Sequence, residues 1–187
     1  MAGNIEAGHA ERDSIGDRYF QDFAESLHAL ELVDSPPEEV FDKFTRLVAR
    51  VLTVPVALVS IVEEARNRQF FKSALGLTGD YAERRETPLS HSFCRLVTRD
   101  NRPLVVEHAP SDARVCDNHA VPDLGVRAYL GVPIHGPGAR PVGAICAIDT
   151  VRRTWREEDV DVMVDIGACV SDLIRLRAMI ERRFRNG

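Results

Sequence analysis

Two pairs of apolar segments constrain this chain more than any other feature. Residues 56–62 and 69–75 are rich in β-branched and aromatic side chains, and only the short stretch 63–68 joins them. Residues 127–135 and 141–149 form a second such pair, joined through Gly136-Pro137-Gly138. Connections this short link antiparallel neighbours, because a parallel crossover needs about a dozen residues or more. An antiparallel sheet is therefore predicted.

Around these strands the apolar period becomes helical. Residues 1–13 read as a polar, mobile arm. Ile15, Tyr19, Phe23 and Leu27 recur every four residues and predict a helix starting at Ser14. Ser35 as cap and Pro36 as first helical residue predict the next helix, with Val40, Phe44, Leu47, Val48 and Val51 as its buried stripe. Residues 76–86 read as loop, 87–98 as a short helix, 104–106 as a strand, and 109–125 as a long turn-rich loop of the kind that closes over sites. A final helix is predicted from Trp155 to about Phe184. Along it Val162, Ile166, Cys169, Leu173, Leu176 and Ile180 alternate spacings of four and three, the pattern of a coiled-coil seam. The order α-α-β-β-α-β-β-β-α predicts an α+β fold in one domain over residues 14–187.

Composition excludes several classes of function. The chain has 187 residues and a net charge of −5, which argues against a nucleic-acid footprint. Its apolar runs are too short to span a bilayer. The four cysteines, Cys94, Cys116, Cys146 and Cys169, follow no secretory leader, so free thiols in the cytoplasm are expected. No phosphate loop, nucleophile elbow or dinucleotide fingerprint is present.

Several strings in fixed order carry a resemblance. They are Phe70-Phe71-Lys72-Ser73, Arg85-Glu86-Thr87-Pro88-Leu89, Ser92-Phe93-Cys94, Pro103-Leu104-Val105-Val106, Asp112-Ala113-Arg114, Arg127-Ala128-Tyr129-Leu130-Gly131-Val132-Pro133 and Val142-Gly143-Ala144-Ile145-Cys146-Ala147-Ile148-Asp149. Over roughly residues 37–177 the chain resembles a GAF domain, of the subgroup found beside bacterial histidine kinases, phosphatases and diguanylate cyclases. The resemblance implies a PAS-like antiparallel sheet of five or six strands. Terminal helices cover one face and often dimerise, while pocket-forming loops and short helices cover the other. It implies a non-enzymatic, small-molecule-sensing module of signal transduction that controls an output kinase, phosphatase or cyclase.

On that basis Arg85, His91, Ser92, Cys94, Asp112, Arg114, Cys116, Arg127 and Tyr129 are the candidate ligand-binding residues. Cyclic nucleotides, tetrapyrroles and small acids are candidate ligands, and no cofactor is assigned. Tyr19, Phe23, Leu27, Ile166, Cys169, Leu173, Leu176 and Ile180 are the candidate homodimer interface. Arg95 follows Cys94 where bilin-binding relatives have histidine. A GAF branch that reduces free methionine-R-sulfoxide supplies an enzymatic alternative, with Cys116 attacking and Cys94 resolving. A dimerisation module without ligand is a second alternative. His108, Cys116 and His119 lack a fourth ligand at regular spacing, so no metal site is expected.

Overall fold

The computed structural model describes residues 25–185. The expected arm, the helix start at Ser14, and Tyr19 and Phe23 lie outside the described residues. Strands β1 (Val56–Glu63), β2 (Arg68–Leu75), β3 (Glu86–Pro88), β4 (Leu104–Val106), β5 (Ala128–His135) and β6 (Pro141–Asp149) form one sheet. Its order is β3-β2-β1-β6-β5-β4, and every pair is antiparallel. Both predicted hairpins are present, and β1 joins them by pairing with β6, Ala57 opposite Ala147. β1 is almost entirely buried because both sheet faces are covered, which explains its near-continuous apolar run.

A helical segment covers residues 25–29, and the helices that follow it are α1 (Glu39–Leu52), α2 (Asp80–Arg84), α3 (Cys94–Asp100), α4 (Ala120–Asp123) and α5 (Glu157–Arg185). One apolar layer lies between the sheet and the helices α1 and α5. It holds Ala57, Val59 and Ile61 of β1 with Phe41, Val48, Met163, Val170 and Ile174. The other layer lies under α3, α4 and the 109–125 segment, and takes the alternate residues Leu58, Val62, Tyr129, Ala144 and Cys146. Gly167 lets α5 approach β5 closely, since a Cβ there would stand 2.7 Å from a Val132 methyl. Asp159 accepts from the Arg156 N–H at 2.9 Å and closes the first turn of α5. Trp155 precedes the helix and donates its indole N–H to the Val106 carbonyl at 3.0 Å, tying the helix start to edge strand β4.

Several expectations need correction. The predicted loop 76–86 contains α2, and β3 occupies the start of the predicted helix 87–98. Ser35 does not cap α1, which begins at Glu39 with Glu38 at the cap position. The Ser35 hydroxyl instead donates to Glu31 O at 2.6 Å and accepts from Lys72 Nζ at 2.7 Å. The buried stripe of α1 is Phe41, Thr45, Val48 and Leu52, and Val40, Leu47 and Val51 are exposed. The helix carries two apolar stripes offset by one residue, about 100°. Thr45 selects between them, because its hydroxyl meets Ser73 Oγ at 2.9 Å and Ser73 donates to Asp42 Oδ1 at 2.6 Å. The expected seam on α5 is divided as well. Ile166 lies in the chain's own core, as does Leu27, while Cys169, Leu176 and Ile180 face outward and Leu173 is half-buried.

Candidate functional site

Between the sheet and its covering segment lies a cavity of about 60 Å³, lined by Leu58, Phe71, His91, Cys94, Tyr129 and neighbouring apolar residues. Tyr129 reaches it because Gly131, two residues on along β5, has no side chain. A Cβ there would fall 2.2 Å from the Tyr129 hydroxyl. The ring of Tyr129 packs against Phe93 with centroids 5.3 Å apart.

Hydrogen bonds tie several polar groups in and behind the cavity wall. Tyr129 donates its hydroxyl hydrogen to Cys94 Sγ at 3.2 Å. Cys94 Sγ lies 3.8 Å from Cys146 Sγ. Gln69 donates to Thr87 Oγ1 at 2.7 Å and accepts from Ser92 Oγ at 2.6 Å. Ser92 Oγ also accepts from the Arg95 N–H in the first turn of α3. Hydrogen bonding from Cys146 holds the Cys94 thiol below its ordinary value against the burial that opposes it. Burial pushes Cys146 and the Tyr129 phenol well above theirs.

The sequence candidates separate into groups. His91, Cys94 and Tyr129 line the cavity, and Ser92 braces it through Gln69. The arginines go elsewhere. Arg85 lies toward α1, over the Phe70 ring at 4.9 Å, and donates to Ser35 O at 2.6 Å and Lys72 O at 3.1 Å. Arg114 is held by Asp112 and by Val105 O at 2.6 Å, and lines a separate groove with Arg99 and Arg102. Its guanidinium keeps the Asp112 carboxyl below its usual range. Arg127 donates to Val121 O at 2.8 Å and Val126 O at 3.1 Å, closing the covering segment onto β5. Each guanidinium is spent on backbone carbonyls or a neighbouring carboxylate, and none of the three lines the cavity.

Cys116 is half-buried and does not line the cavity, whereas the sulfur beside Cys94 is that of Cys146. The thiol in contact with Cys94 is thus Cys146 and not the Cys116 of the reductase alternative. His119 also departs from expectation. Its ring lies 5.3 Å from that of His91, while His108 bonds Ser111 Oγ at 2.8 Å. Cys146, Gln69 and Asp123, whose Oδ2 lies 3.0 Å from His91 Nε2, were not legible as site residues. Cys146 stood inside an apolar strand run, and nothing near Asp123 in sequence marked it.

A charged network on the opposite face links the sheet to the long helix. Lys72 of β2 is fully enclosed and contacts Glu38 at 2.5 Å, Ser35 Oγ at 2.7 Å and Pro36 O at 3.2 Å. Glu38 also receives both Nη groups of Arg177 from α5, and Arg177 donates to Leu30 O at 3.1 Å. Arg177, and next Lys72, lower the Glu38 carboxyl from 4.5 to about 2. Burial lowers the Lys72 ammonium value. Phe71, the residue before Lys72, lines the cavity. Adjacent residues of one strand therefore touch the cavity and the ion network.

Comparison with known proteins agrees with this architecture. A GAF domain family model matches residues 36–171. A cyclic di-GMP phosphodiesterase of Pseudomonas aeruginosa is 30% identical over 136 residues, 72% of this chain and 22% of that protein. The chain thus spans about a fifth of that relative. The GAF domain of a phosphoenolpyruvate-protein phosphotransferase from Acinetobacter superposes with a TM-score of 0.60 at 19% identity, covering 80% of this chain and 92% of that one. A free methionine-R-sulfoxide reductase of Neisseria meningitidis, solved with its substrate, superposes at 0.59 and 12% identity, covering 76% and 78%. At these identities the structural likenesses concern the fold. No helix among the described residues is long and apolar enough to cross a membrane.

Proposed function

The chain belongs to the GAF domain family, and from that premise we propose that it is a dimeric regulatory module of bacterial signal transduction that answers to a small molecule. The observation that carries the reading is the uncovered apolar surface on the two helices that pack on the sheet. Val40, Leu47 and Val51 of α1 and Leu176, Met179, Ile180 and Phe184 of α5 are exposed. On each helix the exposed apolar residues recur at helical spacing, the pattern of a face that takes a partner, and the spacing of Cys169, Leu173, Leu176 and Ile180 suits a second copy of α5.

The cavity supports the sensing half of the reading. At about 60 Å³ it has room for a few atoms, well below the ~300 Å³ at which drug-sized pockets begin. A cyclic nucleotide or tetrapyrrole enters only if the 109–125 segment lifts, so binding a larger ligand is coupled to movement. Regulation passes from Phe71 and Lys72 on β2, through Glu38, to Arg177 on α5. The output is an enzyme of the kind seen in the phosphodiesterase relative, in the reducing cytoplasm that the free cysteines suit. GAF domains are generally regulatory, and the contact of Cys94 with Cys146 rather than Cys116 favours that reading over turnover.

Light scattering of the purified chain at tens of micromolar, about the affinity of a weak complex, tests the dimer. Twice the chain mass is expected, with the Leu176→Asp, Ile180→Asp double variant monomeric and retaining its circular dichroism. A monomeric parent chain overturns the reading.

A further inference from the structure

We propose that His91, His119 and Asp123 form a site for a borderline divalent cation of the zinc type at the rim of the cavity, independently of any small molecule sensed within it. One ligand atom from each residue lies within 4.8 Å of the others. His91 Nε2 and Asp123 Oδ2 are 3.0 Å apart. Tetrahedral zinc with bonds near 2.0–2.1 Å needs ligand atoms about 3.3 Å apart. Side-chain shifts of up to about 1.5 Å bring the three atoms to that spacing.

Two rigid attachments hold the set. The His119 N–H donates to Ser90 O at 3.1 Å and fixes the start of α4 against the turn that carries His91. The Asp123 N–H donates to His119 O at 3.0 Å, so these two side chains stand one helical turn apart on the same side. His91 is only 8% exposed, and its other ring nitrogen, Nδ1, lies 3.0 Å from Ser90 Oγ. Without an ion Nε2–H donates to Asp123 Oδ2; an incoming ion displaces that proton to solvent, solvent returns one to Nδ1, and Ser90 Oγ then accepts from Nδ1–H, the arrangement that orients metal-bound histidines.

His119 and Asp123 are exposed, so the ion has a route in from solvent and an open coordination side. Two imidazoles and one carboxylate suit zinc and neighbouring transition ions, whereas magnesium and calcium prefer oxygen donors throughout. His91, Ala120 and Leu124 also line the cavity, so an ion here pins α4 to the 89–91 turn and fixes part of the cavity wall.

The test is calorimetric titration of Zn²⁺ into the chelator-treated chain, repeated with Co²⁺ under visible absorption. One ion per chain is expected, together with cobalt bands lacking thiolate charge transfer. His119→Ala and Asp123→Asn alter exposed residues, so they should fold as the parent does and bind at least about tenfold more weakly. His108→Ala should bind as the parent does. Binding unchanged in His119→Ala, a thiolate-to-cobalt band, or no stoichiometric binding overturns the proposal.

Discussion

Removing the carboxylate of Glu38 is the most informative single change to this molecule. Glu38 stands between an enclosed ammonium, Lys72 Nζ at 2.5 Å, and the guanidinium of Arg177. A carboxyl titrating near 2 instead of 4.5 contributes about 3 kcal/mol at full strength. The Glu38 side chain is 28% exposed, and solvent screening reduces this to roughly 1–2 kcal/mol. Glu38→Ala additionally leaves Lys72 enclosed with only Ser35 Oγ and Pro36 O as partners, and an unpaired buried charge raises the total loss to about 3 kcal/mol. Lys72→Met in the Glu38→Ala background removes that charge, so the double variant should regain about 2 kcal/mol. Urea unfolding followed by circular dichroism measures both. A Glu38→Ala variant within about 0.5 kcal/mol of the parent, or a double variant no more stable than the single one, refutes the reasoning.

The same network predicts the pH response. The folded value of Glu38 is lowered, so its contribution is complete above about 4.5 and disappears as pH falls toward about 2. Melting curves of parent and Glu38→Ala should therefore converge over that window. The folded value of Lys72 is lowered too, so stability rises as pH climbs from it toward 10.5, and this rise begins at lower pH in Glu38→Ala. Gly131→Ala drives a methyl group into the Tyr129 hydroxyl and should cost about 1–3 kcal/mol with a changed near-ultraviolet spectrum. Phe93→Ala enlarges the cavity, should cost about 3–5 kcal/mol, and should create a site where indole raises Tm. An indole effect equal in the parent chain would count against this cavity as the binding space.

The sheet was readable because its four long strands are apolar runs with β-branched residues, and two short connections fix their direction. β3 was not readable. It has three residues, one of them Pro88, and it exists because β2 supplies its partner edge at Arg68–Phe70. The start of α1 was misread because Ser35 looks like a cap, while the enclosed Lys72 recruits both Ser35 and Glu38 across 37 and 34 positions. The stripe of α1 failed for a related reason. Periodicity alone ranks two adjacent apolar stripes equally, and Thr45 decides by a hydrogen bond to Ser73. At the candidate site, Tyr129 and Cys94 were found through resemblance. The His91–His119–Asp123 set has no spacing motif, because it depends on a backbone hydrogen bond between distant turns.

The close approach at Gly167 gives the long helix a fulcrum. With its backbone lying directly on Val132, α5 meets β5 there with no side chain between them, so a displacement of β5 at Val132 would press on the helix backbone itself. From Gly167 to Arg185 the helix extends about 27 Å at ~1.5 Å per residue. A rotation of about 5° at the fulcrum swings the far tip by roughly 2 Å, about the displacement by which switching proteins shift helices at subunit boundaries. By that geometry, a tilt of a few degrees at Gly167 would be enough to move the helix end by the width of a side-chain contact.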